Sequence, residues 1–152
     1  MKKMLLVAAS LCAACSGATT ANDRGSNVDP SAVHTDTRTK GALRLDLKDF
    51  PEQAGILFAL PSVTPGTGAI VVENTRYGSL CRFEVTGKAD VKGHTIGVHI
   101  TFVERLTLCT AEIRALRYTA TLATAPGTYD VAVIHEGGTQ ADTLVRRTVT
   151  VR

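Results

Sequence analysis

Histidine and cysteine are the side chains of this sequence best suited to metal or nucleophilic chemistry, and the chain has four of each. His94 and His99 lie in a segment of alternating apolar residues, so on one β-strand they would point to opposite faces. They therefore cannot chelate one metal ion from that strand. Cys81 and Cys109 have no neighbouring histidine and form no Cys-x-x-Cys pair. The sequence predicts neither a metal nor a cofactor.

Motifs for hydrolytic chemistry are incomplete. Gly78-Ser79 is not part of a Gly-x-Ser-x-Gly elbow and is interpreted as a turn. His135-Glu136-Gly137-Gly138 lacks the second histidine of a zinc-protease motif and is predicted to be a hairpin tip. We expect a protein that is not an enzyme. The alternative is a metal-handling protein or hydrolase, its site assembled in three dimensions from His94, His99 or His135 and carboxylates.

The N-terminus has the order of a secretory signal peptide. Lys2 and Lys3 give a short positive region, and residues 4–14 are uncharged and rich in Leu, Val and Ala. The apolar stretch is shorter than the roughly 20 residues that cross a bilayer. The sequence therefore predicts an exported protein with a signal peptide at 1–14.

The end of this stretch, Leu11-Cys12-Ala13-Ala14-Cys15, resembles a bacterial lipobox, in which small residues precede a cysteine that is diacylated. Cys12 departs from the pattern, because an aliphatic residue usually stands there. The resemblance implies a lipoprotein of the cell envelope, anchored in the membrane through Cys15, and Ser16 favours the outer membrane. The alternative is cleavage a few residues further on, which would give a soluble secreted or periplasmic protein.

The cysteine count and the net charge indicate a disulfide and limit the classes of partner. If Cys12 is removed and Cys15 acylated, Cys81 and Cys109 remain as an even pair in an oxidising compartment and are predicted to form a disulfide. Without the two lysines of the signal peptide, the 17 basic residues become 15, against 14 acidic ones. This balance, with no Trp in the chain, argues against a nucleic-acid partner.

Residues 16–41 are mostly small, polar and turn-forming, so they cannot bury enough apolar surface to offset the entropy of ordering. We interpret 15–41 as the lipid-bearing cysteine and a flexible, disordered tether. An edge strand around Ser31–Thr37 is the alternative.

From Ala42 onward the apolar residues alternate with polar ones, which is typical of half-buried strands. Leu43, Leu45 and Leu47 form the first such series, and 96–102 is the clearest. Further candidate strands lie at 55–60, 70–72, 81–85, 113–124, 129–133 and 145–151, although 104–117 also fits a short amphipathic helix. Close spacing and Gly/Pro turns predict a single all-β domain at 42–152, with seven to eight antiparallel strands.

Residues 122–131, Leu-Ala-Thr-Ala-Pro-Gly-Thr-Tyr-Asp-Val, resemble the entry to the penultimate strand of immunoglobulin-like and fibronectin-III-like domains. The resemblance implies an immunoglobulin-like β-sandwich and a tyrosine corner at Tyr129, whose hydroxyl would bond backbone upstream. The same Pro-Gly-x-Tyr motif, here residues 126–129, occurs in transthyretin-like and carboxypeptidase-regulatory-like domains. Cys81 and Cys109 are too close for the usual inter-sheet bridge, so theirs should join neighbouring or next-but-one strands.

These features predict a monomeric, non-enzymatic binding or structural module. Small sandwiches usually bind through end loops, which places candidate surfaces at 61–68, 87–93 and 136–142. A protein or a glycan is the expected partner.

Overall fold

The computed structural model describes residues 34–40, 42–51, 59–106, 108–109, 114–138 and 140–152. In these ranges the chain forms two β-sheets, with strand orders β1-β2-β7-β4-β3 and β5-β6-β8-β9. The strands are β1 (His34–Lys40), β2 (Leu43–Pro51), β3 (Ser62–Gly66), β4 (Ala69–Tyr77), β5 (Phe83–Lys92), β6 (Thr95–Glu104), β7 (Arg114–Ala123), β8 (Gly127–Gly137) and β9 (Gln140–Val151). None of the described segments is a helix that could cross a membrane.

The all-β sandwich is confirmed, but its strands are not all antiparallel. β6 and β8 pair in parallel, with Thr95 opposite Asp130 and Phe102 opposite Gly137. The reason is that β7, which lies between them in sequence, belongs to the other sheet. The chain therefore crosses from one sheet to the other and returns in the same direction.

The core lies between the two inner faces, as the period-two patterns predict. Leu43, Leu45 and Leu47 are each 1% exposed. The β6 series at 96–102 is also buried. Each fully buried Leu, Ile or Val side chain contributes about 1.5–3 kcal/mol, so these inward rows hold the sheets together.

The first strand lies in the range that the sequence assigned to the tether. β1 pairs with β2 along its whole length, from His34 opposite Asp49 to Lys40 opposite Leu43. Backbone hydrogen bonds form this ladder, so a polar segment without an apolar pattern can join the sheet at its edge. The described part of the sandwich therefore includes His34–Lys40, ahead of the boundary at Ala42 that the sequence predicts. The predicted signal peptide, Cys15 and residues 16–33 lie outside the described residues.

Two predicted loops are largely strand. Most of 61–68 is β3, and 87–92 is the second half of β5, so that hairpin turns only at Gly93, which has a φ of 58°. Gly87 lies inside β5 because space is short there: a Cβ would come 3.0 Å from Leu43 Cδ2.

Two other segments are described only in part. Of the candidate strand at 55–60, residues 55–58 lie outside the described residues, and Ala59 and Leu60 are not in a strand. Within 104–117, β6 ends at Glu104, 105–106 and 108–109 are irregular, and β7 begins at Arg114.

Two predicted tertiary contacts are present. A disulfide joins Cys81 and Cys109, with 5.9 Å between their Cα atoms, and ties the turn before β5 to the segment after β6, so it closes a pair of neighbouring strands. Closing a loop of this length stabilises a fold by about 3–4 kcal/mol on the chain-entropy account. The Tyr129 hydroxyl donates to the Ala125 carbonyl at 3.0 Å, the contact expected of a tyrosine corner.

Candidate functional site

One end of the sandwich opens into a cavity of about 830 Å³, here termed the end pocket. It lies among the last residues of β4 and β6, the first of β5 and the hairpin between β8 and β9. Its lining comprises Arg76, Phe83, Thr101, Phe102, Val103, Glu104, His135, Glu136, Gly137, Gly138, Gln140, Ala141, Asp142 and Leu144.

Polar residues reach this pocket by continuing the inward rows of the core. On β4 the buried residues Ile70 and Val72 are followed at the same spacing by Asn74 and Arg76. The register places Asn74 opposite Tyr118 on β7. Because side chains alternate along a strand, Arg76 is directed between the sheets.

The guanidinium group of Arg76 is held against aromatic rings. Its Cζ atom lies 4.2 Å from the centroid of Phe102 and 5.8 Å from that of Phe83. The two rings meet edge to face, 6.5 Å apart. Burial lowers the pKa of Arg76, yet this side chain forms no ion pair with any described residue. Cation–π contacts of this kind contribute about 0.5–2 kcal/mol.

His135 lines the same pocket and is neutral. Burial, followed by the nearby charge of Arg76, lowers its pKa to about 4. Its Nε2 atom lies 2.7 Å from the Tyr118 hydroxyl, whose pKa burial raises. The hydroxyl therefore keeps its proton and can donate it to Nε2; in that tautomer the imidazole proton is on Nδ1. That N–H has no hydrogen-bond partner among the described residues.

The acidic side chains around the pocket have partners of their own. Glu104 pairs with Arg82 at 2.9 Å. Asp142, opposite His135 in the register, accepts a hydrogen bond from Gln140 at 3.3 Å. None of these described carboxylates lies within ion-pair distance of Arg76.

His99 belongs to a different cluster, on the outer face of the same sheet. Its Nδ1 lies 2.6 Å from a Glu136 oxygen and its Nε2 lies 3.2 Å from Asp90. Thr101 donates to the other Glu136 oxygen at 2.8 Å, and this hydrogen bond, ahead of the one from His99, lowers the pKa of Glu136. Both ring nitrogens thus face carboxylates, in an arrangement that ties β5, β6 and β8 together.

The three histidines considered for an assembled site are not brought together. His94 lies in the turn before β6, at the other end of the sandwich, and its Nδ1 donates to the Thr128 carbonyl at 3.0 Å. His99 is on an outer face, and His135 faces inward from β8 and is not in the hairpin tip. Among the described residues, no group of three or more His, Cys, Asp or Glu side chains is arranged to hold a metal ion.

Sequence reasoning missed the pocket residues Arg76 and Phe83, and the contact of Tyr118 with His135. One signal was available: in 70–76 the inward spacing of Ile70 and Val72 continues through Asn74 and Arg76. A charged residue at an inward-facing position of a strand indicates either the end of the buried part of the sheet or a binding site. The role of Phe83 depends on the disulfide-linked turn that places β5, which no local pattern predicts.

Comparison of the chain with protein-family models, with curated proteins and with solved structures gives no match. The class of the protein is therefore defined by its own geometry. It is an all-β sandwich with a disulfide and an open pocket at one end.

Proposed function

We propose that this chain is a non-enzymatic lipoprotein of the bacterial cell envelope whose β-sandwich binds a ligand in the end pocket. The observation that carries the proposal is the guanidinium of Arg76, half-buried on aromatic rings at the edge of an 830 Å³ cavity. Ligand sites typically combine apolar walls with a few fixed polar groups in a cavity of about 300–1,000 Å³. The end pocket lies in this size range, its apolar wall includes Phe83, Phe102 and Leu144, and polar side chains such as Glu104 and His135 are held by neighbouring residues.

The anchor is supported by the sequence before the sandwich. A charge-free stretch ends at Cys15 in a lipobox-like phrase, and the mature chain has no other cysteine outside the disulfide. His34, the first strand residue, shares a row across the sheet with Asp49, Leu116 and Arg76. A chain anchored at Cys15 thus enters the sandwich at the pocket end. An envelope ligand, either a small molecule or a segment of a protein or glycan, fits this position.

The anchor is tested by Cys15→Ser. Without the thiol no diacylglyceryl group can be attached, so we expect the variant to leave the membrane fraction or to accumulate unprocessed. Two acyl chains hold firmly because each buried methylene adds about 0.8 kcal/mol. The measurement is fractionation of cells followed by intact mass, with Cys12→Leu as the matched control, which removes the neighbouring thiol but keeps the acylated position and an aliphatic residue in the lipobox. Normal processing with full membrane retention of Cys15→Ser would contradict the anchor.

The binding role is tested by a fragment screen of the full-length protein in mild detergent, followed through backbone amide resonances. We expect the compounds that bind to perturb amides of Thr101–Glu104 and His135–Gly137, because these segments line the pocket. Hits that perturb only the far end of the sandwich, around Gly93 and Gly127, would count against a binding role for this pocket, as would a diverse library without hits.

A further inference from the structure

We infer that the end pocket binds a carboxylate group, with the Arg76 guanidinium as its charge partner and the His135 Nδ1–H as a second donor. This inference rests on the proposed binding role of the pocket and adds the chemical class of the ligand. Phe83 and Phe102 would contact the apolar part of the same ligand.

The first reason is the missing counter-charge of Arg76. Taking a charge partly out of water is unfavourable unless a partner of opposite sign compensates it. Among the lysine and arginine side chains whose burial the structure describes, Arg114 is the other one that is not exposed, and it has such a partner in Asp49. Arg76 has aromatic rings beneath it and no ion pair with a described residue. An anion entering the pocket would supply the missing compensation.

The second reason is the geometry of the two donors. The Phe102 ring contacts both side chains: the Arg76 Cζ atom lies 4.2 Å and the His135 ring centroid 5.2 Å from its centroid. A guanidinium group presents paired N–H donors that match the two oxygens of a planar carboxylate. With the Tyr118 hydroxyl donating to Nε2, His135 presents Nδ1–H as a neutral donor.

The third reason distinguishes a carboxylate from a more highly charged anion. One guanidinium provides a single positive charge, and His135 provides none. Glu104, Glu136 and Asp142 also line the pocket and would repel a dianion more strongly than a monoanion. The aromatic walls favour a ligand with a hydrocarbon portion, which inorganic phosphate lacks.

The test uses the full-length protein in mild detergent and three probes: 3-phenylpropionate, its neutral amide and inorganic phosphate. We expect the carboxylate alone to perturb the amides of Phe102 and His135 in a saturable manner and to shift the His135 Nδ1–H resonance. Equal binding of the amide would overturn the inference, because the charge would then contribute nothing. Stronger binding of phosphate would overturn the assignment to a carboxylate.

Arg76→Gln should weaken binding of the carboxylate probe by about tenfold or more, because a hydrogen bond between charged groups is lost. Arg76→Lys should restore part of the affinity for the carboxylate probe, because lysine has the positive charge but not the planar pair of N–H donors. The matched control is Arg117→Gln: Arg117 stacks on Phe50 at 5.5 Å on the opposite face of the same sheet and should change affinity by less than about twofold.

Unchanged binding by a folded Arg76→Gln variant would overturn the inference, and thermal unfolding of each variant establishes that it is folded. Failure of the inference remains distinct from failure of the proposed function. Neutral fragments that bind in the pocket while carboxylates do not would leave the binding role intact and remove only the ligand class.

Discussion

Replacing Asp49 with alanine is expected to destabilise the sandwich by about 3–5 kcal/mol, because it removes the carboxylate that pairs with the buried guanidinium of Arg114. Asp49 and Arg114 are only 1% and 7% exposed. One carboxylate oxygen accepts from Arg114 Nε, and the other accepts from the Leu80 backbone N–H at 2.7 Å. The substitution therefore removes a charge partner and the acceptor of the turn before β5. Chemical denaturation of the purified protein measures the loss.

Asp46→Ala is the matched control for this experiment. Asp46 lies on the same strand and pairs with Arg44 at 2.9 Å, but on the exposed face. Exposed ion pairs contribute about 0–1 kcal/mol, so the control should lose little. Similar losses in the two variants would contradict a specific role for the buried pair, as would a loss below about 1 kcal/mol in Asp49→Ala.

Acidification from about pH 7 to pH 4.5 is expected to reduce the free energy of unfolding by about 1–2 kcal/mol through His135 alone, because solvent screens this partly exposed ring. The folded-state pKa of His135 is about 4, below the ordinary value of 6.5. Between these values the unfolded chain binds a proton that the folded chain does not, so stability rises with pH in that window. The contribution is complete above about pH 6.5 and falls as the pH drops toward 4. Denaturation curves collected at several pH values measure it.

His135→Gln isolates the contribution of His135 protonation to stability, because the glutamine amide can still accept a hydrogen bond from Tyr118 but does not titrate. The difference in stability between wild type and variant should therefore change with pH in this window. Glu136 does not add to this pH dependence above about pH 4.5. Its pKa is lowered in the folded state, so its contribution to stability is lost only as the pH falls below the ordinary value of 4.5. Parallel pH profiles of the two proteins above about pH 4.5 would rule out the predicted role of His135.

The strands could be predicted where side chains alternate between the core and the solvent. Leu43, Leu45 and Leu47 alternate with charged residues and are buried as that spacing requires. The same rule places the row at 96–102 inside. The disulfide followed from counting cysteines on the expectation that the protein is exported.

The remaining features depend on which strands are neighbours, and no local pattern encodes that. β1 is held by its backbone ladder to β2, so its polar side chains gave no signal. The parallel pairing of β6 with β8 arises from the placement of β7 in the other sheet. His135 was assigned to a hairpin tip because glycines follow it, whereas β8 extends to Gly137 and directs its imidazole into the end pocket.

The placement of β7 also sets the order in which the chain can fold. β7 lies between β2 and β4, and β8 lies between β6 and β9, so each sheet is completed by a strand from the last third of the sequence. Before β7 is made, the chain can form only the two-stranded pairs β1–β2, β3–β4 and β5–β6, and such isolated pairs are marginal in water. A chain that emerges N-terminus first, from a ribosome or through a membrane pore, therefore has no complete sheet until β7 (residues 114–123) has followed, and its second sheet is complete only with β9, which ends at Val151.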